Sequence, residues 1–145
     1  MPLKIVRPLL AVLALVALAA CYSSAGVSPE GSLPAASLVG REWRLTELNG
    51  RPAGNGAGGR AATLRLEGER AAGFAGCNSF GGGYTLAESR LVFSALASTR
   101  MACEQGMELE REYLTALEAV RSWRMTPQGL ELLGESGVLA RFAAA

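Results

Sequence analysis

Cys77 and Asn78, in the run Gly73–Tyr84 (GFAGCNSFGGGY), and Thr99, Arg100 and Cys103, in the run Ala97–Cys103 (ASTRMAC), are the residues whose types could do chemistry in this chain. Two thiols can close a disulfide, act as a redox pair or pack as small buried hydrophobes. An Asn in a Gly-rich bend can hold a ligand, but more commonly it bonds its own backbone or takes a left-handed conformation. Arg100 beside Thr99 can grip an anion bidentately, pair with a Glu or lie across a sheet surface.

Missing residue types narrow these options. The chain contains no His and no Asp, and all thirteen of its acids are Glu. The usual general base, the imidazole metal ligand and the Ser-His-Asp relay are therefore unavailable. Cys77 and Cys103 alone cannot make a four-ligand zinc site. No metal, no cofactor and no catalytic residue is expected, and the chain reads as a non-enzyme. Gly54–Gly59 (GNGAGG) lacks the Lys and hydroxyl that a phosphate-binding loop needs after its glycines, and a strand pattern follows Arg60. It reads as a floppy loop.

The N-terminus supplies an address. Lys4 and Arg7 precede a continuous apolar run, Leu9–Ala20, which ends in small residues and meets Cys21. About a dozen apolar residues are too few to span a bilayer of roughly 30 Å, and the layout is that of a secretory signal. Leu18-Ala19-Ala20-Cys21 resembles a bacterial lipoprotein lipobox, which implies a leader over 1–20 and a lipidated Cys21 at the mature N-terminus. Two or more acyl chains anchor stably where one holds only marginally. Tyr22 stands where an Asp would favour retention in the inner membrane. The expected location is the cell envelope. In a Gram-negative source that means the periplasmic face of the outer membrane, and in a Gram-positive one the outer face of the cytoplasmic membrane.

Of the fourteen cations, Lys4 and Arg7 leave with the leader, so twelve Arg face thirteen Glu in the mature chain. That balance excludes a nucleic-acid partner, whose phosphates need a clustered surplus of cations. Cys77 and Cys103 are then an even pair in an exported chain, where oxidation is the default and a disulfide is favoured over two buried thiols. Residues 21–37, rich in Ser, Ala, Gly and Pro, read as a lipidated Cys and flexible tether, able to reach about 50 Å when extended.

The folded part occupies 38–145 and must position the two runs. Trp43 and Leu45 alternate with Arg44 and Thr46, and Ala62, Leu64 and Leu66 alternate with Thr63, Arg65 and Glu67. Gly68 turns the chain into a hairpin partner, Arg70–Phe74. Gly73 and Gly76 mark hard bends or close backbone approach. Gly81–Gly83 reads as a hinge or sharp corner before strands at Tyr84–Leu86 and Leu91–Phe93. Ser98–Cys103 reads as a short extended piece with Met101 buried. Met107–Val120 is helical, with Leu109, Tyr113, Leu117 and Val120 on one stripe and Leu114 widening it. Glu104, Glu108 and Glu110 crowd its positive end, and Arg121 and Arg124 its negative end. Trp123–Met125, Leu130–Leu132 and Val138–Phe142 close the chain as strands, with both Trp residues in the core. The fold class is mainly β with one α-helix (α+β). About eight antiparallel strands form a barrel-like meander that hides its edges, with the late helix packed on or across it.

Trp43-x-Leu45 with Asn49-Gly50, Gly76-Cys77-Asn78, Tyr84, and Thr99-Arg100-Met101-Ala102-Cys103 ahead of an acidic helix together resemble the META domain family. That group includes the bacterial heat-shock protein HslJ and often follows a lipoprotein signal. The resemblance covers nearly all of the folded part. It implies a small barrel-like fold, an envelope location, links to heat stress and novobiocin tolerance, and no enzymatic activity. Carried over onto this chain, the family motif is Gly76, Cys77, Asn78, Thr99, Arg100, Met101 and Cys103, with an architectural role. The function expected is a lipid-anchored, non-catalytic envelope module that meets the membrane through its anchor and binds an envelope protein or lipid. The alternative is a pilotin-like or lipid-binding carrier that uses the barrel interior.

Overall fold

The computed structural model describes residues 37–145. The expected leader, the lipidation site Cys21 and the tether through residue 36 lie outside the described residues. No helix among the described residues is long and apolar enough to cross a membrane.

Period-two alternation builds the strands. β1 (Glu42–Leu48) buries Trp43, Leu45 and Leu48, and β3 (Thr63–Glu67) buries Leu64 and Leu66. Between them lies β2, only Arg51–Pro52, paired back onto Glu47 and Leu48. A meander follows: β4 (Arg70–Phe74), β5 (Ser79–Ala87), β6 (Arg90–Ser98), then after the helix β7 (Ser122–Thr126), β8 (Gly129–Gly134) and β9 (Gly137–Ala144). All pairings are antiparallel, and the nine strands form one sheet in the order β2-β1-β3-β4-β5-β6-β7-β8-β9. β1 also pairs with β9, from Trp43 opposite Ala144 to Leu48 opposite Ala140, so the sheet is ring-like. Mainly β with one helix is therefore the architecture found. The two-residue β2 lies off the ring, which leaves eight strands around it.

The ring is thinnest between β6 and β7, which share the single register pair Arg90 and Ser122. Two further backbone bonds support that seam, Leu91 N–H to Arg121 O at 3.1 Å and Trp123 N–H to Ser89 O at 2.9 Å. The helix α1 (Met107–Ala119) packs against β6 and β1. It buries Tyr113, Ala116 and Leu117 on one face. The Tyr113 ring meets Phe80 edge-on at 5.8 Å and Phe142 at 6.2 Å, and its hydroxyl donates to Thr63 O at 3.1 Å. Burial pushes its phenol well above the ordinary tyrosine value. Arg121 donates to the Glu118 and Val120 carbonyls at 3.0 and 2.8 Å, tying off the helix end as its position in the sequence suggests.

Trp43 and Trp123 are core residues, as expected. Their indole N–H groups donate to Leu38 O at 3.0 Å and Glu88 O at 2.9 Å. Trp43, Tyr113, Phe142 and seven leucines are among the largest fully buried side chains, so the inward positions are filled by bulk.

A chain of charges runs across four neighbouring strands, β7, β8, β9 and β1. Glu47 on β1 pairs with Arg141 on β9, Arg141 reaches Glu131 on β8 at 2.8 Å, and Arg124 on β7 reaches Glu131 at 2.5 Å. Although Glu131 alternates with Leu130 and Leu132, it is itself buried, covered by the two guanidiniums. Burial pushes its carboxyl up, but the hydrogen bonds and charges of Arg141 and Arg124 outweigh this and hold it below the ordinary value.

Two expectations fail for local reasons. Gly81–Gly83 is no hinge or corner but lies inside β5. Gly81 opposes Ala97 and Gly83 opposes Ser94, so β6 carries one extra residue there, with Ala95 at φ 49. A Cβ on Gly82 would stand 2.8 Å from both the Leu96 side chain and Ser94 O, so the glycine makes room for this bulge. Met101, expected inside, is 61 % exposed. The chain leaves β6 at Ser98, and the strand alternation that would have turned Met101 inward stops with it.

Candidate functional site

β4 delivers the chain to one end of the ring, where Ala75 N–H donates to Asn78 O at 2.8 Å and closes a tight loop around Gly76 and Cys77. Three glycines from distant segments meet there. A Cβ on Gly56 would stand 1.9 Å from Gly76 O, and one on Gly106 would stand 2.2 Å from the same oxygen. Gly76 itself has φ +133, a conformation that L side chains rarely adopt, and its carbonyl accepts from Ala57 N–H at 2.7 Å. The GNGAGG segment is therefore seated, with Gly56 buried and Ala57–Gly59 in a short 3-10 turn. This corrects the reading of that segment as a floppy loop.

Immediately after this crossing, Asn78 is 1 % exposed and its side chain is fully engaged. Its Oδ1 accepts from Met101 N–H at 2.7 Å and Thr99 Oγ1 at 3.0 Å, and its Nδ2 donates to Met101 O at 3.1 Å and Glu110 Oε1 at 3.1 Å. Neither alternative read for Asn78 holds for these contacts. Its side chain bonds segments 21 to 32 residues away, not its own turn, and its φ is not positive. The 99–101 segment is clamped this way, with Thr99 N–H also donating to Ser79 O at 3.0 Å.

Glu110 closes the knot from the helix. Its Oε2 accepts from Asn78 N–H at 2.6 Å and Cys77 N–H at 3.3 Å, and its Oε1 from Asn78 Nδ2 and, at 3.4 Å, from Ser98 Oγ. Sequence reading placed Glu110 only among the acids at the helix start. The signal that would have found it is its spacing: Glu110 precedes Tyr113 by three residues and Leu117 by seven, so it sits on the buried stripe. A carboxylate there must be met by donors, and the Cys77–Asn78 turn supplies them.

Cys77 and Cys103 are joined by a disulfide across 26 residues, with Cα atoms 5.8 Å apart. Closing a loop of this length stabilises the fold by about 3–4 kcal/mol on the chain-entropy estimate. The structure thus brings Gly76, Cys77, Asn78, Thr99, Met101 and Cys103 together at the start of α1. Arg100 belongs to the same segment, but it is exposed and makes no ion pair among the described residues. Tyr84 stands apart on β5, donating from its hydroxyl to Gly68 O at 2.6 Å.

Two open grooves of about 350 and 360 Å³ run beside α1. One is lined in part by Leu48, Arg51, Leu109 and Glu112, and the other by Asn49, Arg111, Ala116 and Leu139. Neither is lined by a motif residue. Among the described residues no group of three or more His, Cys, Asp or Glu side chains could hold a metal ion.

No curated protein matches the chain. Its fold is similar to a solution structure described as the protein from Burkholderia xenovorans. That structure is 29 % identical, covers 86 % of this chain and 96 % of its own, and superposes with a TM-score of 0.64. A second solution structure, 23 % identical, covers 74 % of this chain and 92 % of its own with a TM-score of 0.58, and is similar in fold. The family model described as META domain matches residues 36–145, the stretch that holds the ring, the helix and the knotted motif. The chain belongs to the META domain family.

Proposed function

We propose that this META domain is a lipid-anchored, non-catalytic module of the cell envelope that acts by binding or by structural support under stress such as heat or novobiocin. The observation that carries this reading is the closed hydrogen-bonding of the motif. Asn78 and Glu110 spend their side-chain polar atoms on Cys77, Ser98, Thr99, Met101 and each other. Buried residues held in this way fix the loops around them and have no free lone pair or proton for a substrate. The apolar run ending at Cys21 supports the anchor. The carrier alternative needs the interior emptied, whereas Trp43, Tyr113 and Phe142 fill it.

Cell fractionation tests the reading. The native chain is expected in the membrane fraction, beginning at an acylated Cys21, and a Cys21→Ser chain in the soluble fraction. Deleting the gene is expected to raise sensitivity to heat and novobiocin. A chain found in the cytosol with its leader uncut would overturn the proposal, as would a deletion indifferent to both stresses.

A further inference from the structure

Three methionines lie among the described residues, and they differ in exposure. Met101 is 61 % and Met107 46 % exposed, and they are the exposed large hydrophobic side chains of the domain. Met125, on β7, is partly buried against the core. Slack in the chain does not explain the exposure of Met101. Asn78 holds both its N–H and its C=O, and the disulfide at Cys103 fixes the chain two residues on. A thioether therefore stands in solvent on a backbone that cannot turn it inward.

Among the described residues the competing soft nucleophiles are already spent or missing. Cys77 and Cys103 are oxidised to a disulfide, and the chain has no imidazole. Thioether oxidation follows exposure, so a two-electron oxidant reaching the domain meets Met101 and Met107 first.

We propose that Met101, with Met107 second, is a site of reversible sulfoxidation by oxidants of the peroxide and hypohalous-acid class. With hydrogen peroxide, the sulfur lone pair attacks one oxygen and the O–O bond breaks. The sulfur loses two electrons as the S–O bond forms. The proton of the transferred hydroxyl goes to the departing hydroxide, which leaves as water. A reductase of the methionine sulfoxide class returns two electrons and two protons from thiols, and the oxygen leaves as water. The modification replaces an apolar side chain with a polar, chiral one on the motif segment beside Arg100, and leaves the packed ring untouched. It does not depend on the lipid anchor.

The test is limited oxidation of the disulfide-intact protein with hydrogen peroxide, followed by peptide mass mapping. The sulfoxide is expected at Met101 first, then Met107, with Met125 slower by roughly fivefold or more, and unfolding in guanidinium should bring the three rates together. Met101→Leu, an exposed change that leaves the fold intact, should remove the fastest oxygen uptake and leave the first oxygen to arrive at the slower rate of Met107, and a methionine sulfoxide reductase should restore the original mass of the folded wild type. Met125 keeping pace in the folded protein would overturn the proposal. So would a first oxygen arriving at the original rate in Met101→Leu, or a sulfoxide that the reductase cannot remove.

Discussion

Glu110 and Asn78 meet twice. The Glu110 Oε2 accepts from the Asn78 backbone N–H at 2.6 Å, while its Oε1 accepts from the Asn78 side chain at 3.1 Å. The helix is thereby bonded to the loop through both the main chain and the side chain of one residue, and that residue in turn holds Met101 by both of its backbone groups. Three segments far apart in sequence become one end of the ring. The disulfide lies alongside and links the same loop to Cys103, on the segment that leads into the helix at Met107.

Reducing the disulfide should weaken the domain without unfolding it. A Cys77→Ala, Cys103→Ala chain is expected to lose about 3–4 kcal/mol of stability, the entropy of the 26-residue loop. Because the hydrogen bonds of Asn78 and Glu110 remain, a cooperative denaturant transition should persist at a lower midpoint. A flat, non-cooperative transition would mean the covalent link alone holds this end together.

The glycine crossing makes a sharper prediction. Gly56→Ala forces a Cβ to within 1.9 Å of the Gly76 carbonyl, so either the two segments part or the backbone strains. The expected loss is about 2–4 kcal/mol. Gly54→Ala, with nothing within 4 Å, should leave the denaturation midpoint almost unchanged. Equal midpoints for the two variants would restore the view of GNGAGG as a floppy loop.

Much of the ring was legible because strand alternation is a local signal. Trp43, Leu64, Leu66, Leu91, Phe93, Leu130 and Phe142 lie inside as their periodicity predicts. Helix α1 was legible too, since its apolar stripe repeats over three turns. The motif's partners were not. Asn78 bonds Thr99, Met101 and Glu110 across the fold, and no local pattern encodes which distant donor meets which acceptor. The run Gly81–Gly83 misled because glycine serves corners and bulges alike, and only the facing strand, with its extra residue at Ala95, decides between them.

Acid should weaken the chain of charges around Glu131. The Glu131 carboxyl is held below its ordinary value, so its contribution to stability is complete above about 4.3, the ordinary glutamate value, and is lost as the pH falls through and below it. Glu131→Gln is expected to be less stable than wild type at neutral pH and to converge with it in acid. A stability gap that stays constant across the titration would show that the Arg124 and Arg141 contacts contribute nothing through charge.

Alkali acts through Tyr113. Its phenol is raised well above the ordinary value by burial, so the folded state keeps it neutral while the unfolded chain ionises near pH 10. Stability is complete below that pH and falls as the pH rises above it. Followed by phenolate absorbance, Tyr113 should ionise only together with unfolding. Its ionisation in a still-folded domain would contradict its place between Phe80 and Phe142.

The most direct test of an architectural motif is a double-mutant cycle on Asn78→Ala and Glu110→Ala, read by denaturant unfolding alongside novobiocin and heat tolerance in cells. Each single change should cost about 2–4 kcal/mol, since each strands buried polar partners, and the pair should cost clearly less than the sum, by roughly 1 kcal/mol or more. Tolerance should fall in step with stability. Variants that remain as stable as wild type yet lose tolerance would contradict the account and make the knot a ligand site instead.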